Sequence, residues 1–155
     1  MAELETMKAQ AEVEEQNEAL FRKVVDEQNK GNTEFFIEFF VPDYAHYFPS
    51  NTQEPMSLEK TQEMVKTHLI SFPDYNWTIE ELFAVKDRGI ARISSAGTFT
   101  RDYHGIAATG NKVESSTIII ARIKNGKIVE ERKEVDVLNV MQQLGMELKP
   151  KEDEK

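Results

Sequence analysis

The Asn125-Gly126 pair constrains this chain more tightly than any other feature, because it interrupts a stretch of strand-forming residues, Val113 to Asp136, that reads VESSTIIIARIKNGKIVEERKEVD. Both central positions of a type I′ turn need positive φ, which Asn and Gly reach at low cost, so the pair predicts a tight antiparallel hairpin. Counting outward from Lys124 opposite Lys127 with no bulge places Ile123 opposite Ile128, Ala121 opposite Glu130, Ile119 opposite Arg132, Thr117 opposite Glu134 and Ser115 opposite Asp136. One face then carries Val113, Ser115, Thr117, Ile119, Ala121 and Ile123 against Ile128, Glu130, Arg132, Glu134 and Asp136. The other carries Ile118, Ile120, Val129 and Val135 among charges. Neither face is cleanly apolar. The first reads as the wall of a pocket, apolar near the turn and wet at its far end. The competing reading is an exposed ribbon whose charges pair across the strands.

At 155 residues the chain has the length of one domain and can bury a core without covalent staples. It has no cysteine, which excludes disulfides, thiolate nucleophiles and cysteine-based metal sites. The start, MAELETMKAQ, lacks the apolar segment of a signal peptide, and no run approaches the roughly 18 apolar residues of a membrane span. A soluble, cytoplasmic protein of a reducing compartment is the expectation. The net charge of -9 opposes a phosphate backbone, so nucleic acid is not an expected partner, and neither is a membrane. His46, His68 and His104 have no metal-site spacing, and no metal or cofactor is predicted.

Ala2 to Lys30 is rich in good helix formers, but only Leu20, Phe21, Val24 and Val25 make an apolar stripe. The first dozen residues therefore fray, extend as a solvated helix, or pack on a partner. Gly31-Asn32 ends this helix, and Thr33 caps a second one predicted to reach Phe40. Asp43 to Pro49, DYAHYFP, is predicted to be irregular or briefly extended and to line a pocket. Ser57 caps a helix to about Ile70, with Met64, Val65 and Leu69 among its buried residues. Strands follow at about Trp77 to Val85 and Gly89 to Tyr103, turning through Asp87-Arg88-Gly89, with Ala91, Ile93, Ser95, Gly97 and Phe99 on one face. After the hairpin, Val137 to Leu144 forms a short helix stopped by Gly145. The layout is α+β, with a strongly curved sheet of four antiparallel strands around helices on one side.

These residues also resemble the SnoaL-like polyketide cyclase family, within the cone-shaped NTF2-like and ketosteroid-isomerase-like group. The matching motifs are DYAHYFP, FPD at Phe72 to Asp74, GTFTRDYHGIAATGNKVE at Gly97 to Glu114, and IKNGKIVEERKEVDVLNVMQQLG at Ile123 to Gly145. The similarity spans Ala19 to Gly145 and implies an NTF2-like cone: a curved mixed or antiparallel sheet wrapped around N-terminal helices, with a short C-terminal helix. Residues 1–18 are then an N-terminal helical extension, 19–145 the domain, and 146–155 a disordered charged tail. The chain departs from the family at Glu131-Arg132, where members commonly carry His-Trp, at Phe99 for a histidine, and at Ala107-Ala108 for two prolines. A charge at Arg132 in place of a flat apolar wall argues against a large aromatic polyketide.

The resemblance places His46 and Asp136 at polar pocket positions, and the chemistry of both is open to two readings. Asp136 is a candidate general base, since a carboxylate in an apolar cavity gains basicity; it also directly precedes the last helix and can serve as its N-cap. His46 can act as an acid or hydrogen-bond donor to a carbonyl oxygen, or be a structural histidine bonded to the backbone. Arg132 and Glu134, with Glu130, either close an ionic network or leave the guanidinium free for a ligand. Tyr44, Tyr47, Trp77, Phe99, Tyr103 and Thr117 are the candidate walls. Two functions follow. One is a cyclase or isomerase acting on a small carbonyl or ester compound by C–H proton abstraction; the other is a non-catalytic binder of a small hydrophobic ligand, or a scaffold. A homodimer through Ile118, Ile120, Val129 and Val135 is expected in either case, since related domains look dimeric through their sheets.

Overall fold

The computed structural model describes residues 1–151. Its elements are, in order, α1 (Ala2–Asn29), α2 (Phe35–Phe39), β1 (Phe40–Tyr47), α3 (Leu58–Ser71), β2 (Asn76–Val85), β3 (Arg88–Thr98), β4 (Lys112–Lys124), β5 (Lys127–Val135) and α4 (Val137–Gln143). The strands form one mixed sheet in the order β1-β5-β4-β3-β2. Four of them were expected from periodicity. The fifth, β1, comes from the segment expected to be irregular and pairs in parallel with β5, with His46 opposite Glu131 and Tyr47 opposite Arg132. Its far side is closed by Met56, which exchanges two backbone hydrogen bonds with His46 at 3.0 and 2.9 Å. Among the described residues no helix is long and apolar enough to cross a membrane.

The Asn125-Gly126 turn forms as predicted, with φ of 51° and 73°. Lys124 faces Lys127 and Ile123 faces Ile128, but the next partners are Arg122 with Glu130, Ala121 with Glu131, Ile119 with Lys133 and Thr117 with Val135. Val129 is thus an extra residue, a β-bulge, and it corrects the register counted from sequence. Because side chains alternate along a strand, one inserted residue exchanges the faces of everything beyond it. Glu131, Lys133 and Val135 turn to the concave side, while Glu130, Arg132 and Glu134 turn away from it. The face expected to be an apolar outer patch changes too. Val135 leaves it for the interior, and the exposed apolar residues there are Phe83, Val85, Ile118 and Ile120.

Helix α1 is unbroken from Ala2, with its first twelve residues exposed. From Glu14 onward it serves the free edge of β2 and the turn after it, which would otherwise present unpaired backbone groups. Asn29 accepts from Trp77 N and donates to Trp77 O, both at 2.8 Å. Asn17 donates to Lys86 O at 3.0 Å, and Glu14 accepts from Lys86 N at 2.8 Å. Beside this polar seam, Phe21, Val24 and Val25 join Ile93, Ile119 and Ile128 in the main core. Helix α2 is shorter than expected: Glu34 rather than Thr33 is its N-cap, with Asn32 Oδ1 accepting from Glu34 N at 3.0 Å. Its Phe35 and Phe36 stack at 4.3 Å between ring centroids, and Ile37 is its one exposed apolar residue.

A second core cluster holds Phe72, Phe99, Val113 and Leu144. Gly97 lies beneath it, where an added Cβ would come within 3.0 Å of Phe72 Cβ and 3.1 Å of Tyr75 Cδ2. Strand β3 stops at Thr98 rather than Tyr103, because Phe99 N and O bond to Asn111 and Gly110 in a loop. The β2–β3 turn falls at Lys86, with φ of 54°, ahead of its expected place. Ser57 caps α3 as expected, accepting from Lys60 N at 3.3 Å. Of the expected tail, residues 146–151 carry no helix or strand, and 152–155 lie outside the described residues.

Asp136 caps α4, its Oδ1 accepting from Asn139 N at 3.1 Å. Replacing it by Ala should cost about 1 kcal/mol of stability, whereas Asn, which keeps an acceptor, should stay near wild type. Urea unfolding of the two variants measures the difference; equal losses would show that the cap contributes nothing.

Candidate functional site

The sheet curves over the helices and leaves a cavity of about 250 Å³, at the small end for a ligand site. Most of its wall is apolar. Helix α3 contributes Met64, Val65, His68, Leu69 and, at its end, Phe72, which recur at three- and four-residue spacing along one face. Phe35 and Phe36 close it from α2, and Val140 and Met141 from α4.

Polar groups enter mainly from the sheet. Glu131 is 4% exposed, and its Oε2 accepts from Tyr44 Oη at 2.5 Å and lies 3.5 Å from Lys133 Nζ. The Lys133 ammonium also stands 5.3 Å from the centroid of the Trp77 ring, a cation–π approach. Burial, followed by the charge of Glu131, raises the Tyr44 phenol well above its ordinary range, so Tyr44 donates and does not ionise. His46 neighbours Glu131 across the β1–β5 pairing, and burial followed by the positive charge of Lys133 lowers its pKa to about 2. His68, packed against Phe72, Tyr75 and Tyr103, is lowered to about 4 by burial. Both imidazoles are therefore neutral at ordinary pH. Three buried polar atoms at the cavity, His46 Nε2, His68 Nε2 and Trp77 Nε1, have no protein partner. Such atoms cost about 1–3 kcal/mol each unless water or a ligand bonds them.

The residues singled out from sequence divide between two faces. His46, Trp77, Tyr103 and Thr117 line the cavity, and Tyr44 reaches it through Glu131. Phe99 is fully buried in the second core cluster and does not line it. Arg132, Glu134 and Tyr47 form a separate network outside. There Arg132 bonds Glu130 at 3.2 Å and Ser50 O at 2.7 Å, and lies 3.9 Å from the Tyr47 ring centroid; Glu134 accepts from Ser50 N and Oγ. Its donors hold the Ser50 turn against β5. Asp136 is exposed at the α4 cap and does not itself line the cavity, although Val135 and Val137 on either side of it do. Reasoning from sequence missed Glu131, Lys133 and His68. The first two were hidden by the bulge, but His68 was legible, since it falls in the Met64-Val65-Leu69 stripe. Among the described residues no group of three or more His, Asp or Glu side chains is arranged to hold a metal.

A family model for SnoaL-like polyketide cyclases matches residues 18–144. The chain belongs to the SnoaL-like polyketide cyclase family. No curated protein sequence matches it. Among solved structures, AclR from Streptomyces galilaeus is 25% identical, with a TM-score of 0.77 over 84% of this chain and 96% of that one. TsrD from Streptomyces laurentii is 23% identical, with a TM-score of 0.73 over 84% and 95%. A SnoaL-like polyketide cyclase from Agrobacterium tumefaciens is 18% identical, with a TM-score of 0.67 over 81% and 95%. These likenesses agree with the NTF2-like cone. Within the SnoaL-like frame, the departure at Glu131-Arg132 takes on a different meaning once the bulge is known. Arg132 points outward and leaves the wall apolar, whereas Glu131 carries a carboxylate into the cavity.

The two depressed histidines make stability depend on pH. Their folded-state values lie below the ordinary 6.5, so the unfolded chain binds protons that the folded chain refuses. Their contribution is complete above the unfolded value and is lost as pH falls from 6.5 toward 4 for His68 and 2 for His46. Between about pH 6.5 and 5, each should remove up to about 1.4 kcal/mol per pH unit. Urea unfolding across this range should show the slope, and His68→Gln should reduce it. A flat profile would mean that the two rings take up protons while folded.

Proposed function

We propose that this SnoaL-like protein is an acid/base catalyst for a small carbonyl compound, with Glu131 as the base and Lys133 as the cation that stabilises the developing oxyanion. The observation that carries this reading is the Glu131 carboxylate buried in an otherwise apolar cavity beside an ammonium group. Both protein contacts fall on Oε2, which leaves Oε1 for the substrate. In the proposed step the carboxylate takes a proton from the carbon next to a carbonyl, and the C–H electron pair moves through that carbon onto oxygen to give an enolate. Lys133 faces the negative oxygen in a site from which water is largely excluded, where a charge of fixed position is most effective. The enolate carbon then attacks a second carbonyl in the same molecule, whose C=O π pair moves to its oxygen and takes the proton back from Glu131 to leave a hydroxyl on the closed ring; alternatively Glu131 returns the proton to another carbon, giving an isomer. Asp136 has no part in this scheme because its carboxylate caps α4.

Binding without chemistry is the second reading. It is favoured by the closeness of the Tyr44–Glu131–Lys133 contacts, which resemble a closed structural cluster. Trp77 is the only tryptophan and lines the cavity, so its fluorescence reports occupancy in either case. With a small 1,3-dicarbonyl compound as probe, Glu131→Gln should lower turnover by roughly 10²- to 10⁴-fold while the Trp77 titration still shows binding. Undiminished turnover in Glu131→Gln removes the base, and binding with no turnover in the wild type favours the second reading.

We further propose a homodimer through the convex face of the sheet. Phe83 pairs with Ile90, and Ile90 with Ile120, giving an apolar row across β2, β3 and β4 that is ringed by charges. Phe83 is 57% exposed and Ile120 42% in the single chain, as a surface awaiting a cover would be. Sedimentation should show a dimer for the wild type and a monomer for Phe83→Lys with Ile120→Lys. A monomeric wild type at micromolar concentration would exclude it.

A further inference from the structure

His46 is 1% exposed and lines the cavity, yet its Nε2 has no protein partner, neither Glu131 nor Lys133 being within hydrogen-bonding distance. What that nitrogen offers a ligand depends on which ring nitrogen holds the proton, and the neighbour of the other nitrogen decides this. His46 Nδ1 lies 3.4 Å from Thr61 Oγ1. The same hydroxyl lies 2.9 Å from Ser57 O, one turn back at the N-cap of α3. A hydroxyl has one proton, and a backbone carbonyl can only accept, so the shorter contact consumes the Thr61 donor. Toward His46 the oxygen then has only lone pairs to offer. The contact is a hydrogen bond only if Nδ1 carries the proton. With the other tautomer, two lone pairs would face each other at Nδ1, and a buried N–H would stand at Nε2 without an acceptor.

We propose that Thr61 is a positioning residue that fixes His46 as its Nδ1–H tautomer, so that the cavity presents an acceptor at Nε2 and takes a ligand that donates a hydroxyl or N–H there. This reverses the donor role suggested for His46 by the sequence. It deepens the reading of the cavity as a ligand site, and it does not require Glu131 to be the base. The substrate class narrows to small carbonyl compounds that also carry a hydroxyl or amide donor. A site that must bond such a donor rejects an analogue lacking it far more strongly than an apolar pocket rejects a change in size.

The test is a two-bond ¹H–¹⁵N correlation spectrum of the full chain near neutral pH, with His46 assigned by comparison with His46→Gln. Wild type should show the Nδ1–H pattern for His46. Thr61→Ser, which keeps the hydroxyl, should show it too, and Thr61→Val should lose it. An Nε2–H pattern in wild type overturns the proposal, as does an unchanged pattern in folded Thr61→Val. If Thr61→Val fails to fold, the wild-type and Thr61→Ser spectra decide alone. Phenol, added up to its solubility limit, should shift the His46 Nε2 resonance, while toluene, of the same shape without the donor, should not. Silence toward phenol, or an equal response to toluene, overturns the ligand half. Glu131→Gln should retain the tautomer whatever its turnover, so failure of the catalytic reading and failure of this one are told apart.

Discussion

One unpaired residue in a β-hairpin decides which side chains of β5 line the cavity. With Val129 inserted, β5 shows Glu131, Lys133 and Val135 to the concave side; without it, Glu130, Arg132, Glu134 and Asp136 would stand there. The inversion also sets the neighbouring strand. β1 lies parallel to β5 with His46 beside Glu131, so an imidazole and a carboxylate meet on one wall. The residues that leave the wall are not idle, because Arg132 bridges Glu130, Ser50 and Tyr47 and holds the turn that leads out of β1. A shift of one position would exchange Glu131 and Lys133 at the cavity for Glu130, Arg132 and Glu134, and the turn held by Arg132 would lose its anchor.

Around that pole the molecule has arranged an imbalance. Glu131 and Lys133 neutralise each other at the cost of desolvating two ions, which in a closed core would rarely be favourable against apolar packing. Nearby, the Nε2 atoms of two neutral imidazoles and an indole N–H remain unbonded by protein. Folded chains seldom leave so many polar atoms unmet in one place unless water or a ligand completes them. Stability for the arrangement comes from elsewhere. The aromatic cluster of α2 and β1 and the Ile-rich inner face of β3 and β4 supply apolar burial, and α1 closes the edge of β2 with Asn17 and Asn29. Asn29 fixes the Trp77 backbone from both sides and so holds one wall of the cavity in place.

Much of this was legible in the residues, for local reasons. Asn125-Gly126 determined its turn, Ser57 the start of α3, and the alternation of Ala91, Ile93, Ser95 and Gly97 the inner face of β3, because each depends on backbone conformation or period within a few residues. The motifs from DYAHYFP to MQQLG determined membership of the SnoaL-like family and with it the cone. Asp136 was readable as a helix cap, since an Asp directly before a helix has a donor to meet wherever the rest of the chain lies.

Tertiary structure alone decided which side of β5 faces the cavity. Both registers pair Ile123 with Ile128, and beyond that point charges and apolar residues alternate on either face, so no local pattern distinguishes them. The choice is made by neighbours from elsewhere in the chain: Tyr44 on β1 offers a partner to Glu131, and Trp77 on β2 one to Lys133. β1 itself, an edge strand built from a segment with turn-like composition, exists because β5 and Met56 take up its backbone groups on its two sides. The state of His46 was likewise beyond the sequence, because it depends on a threonine hydroxyl fifteen residues away whose only proton is already given to a carbonyl.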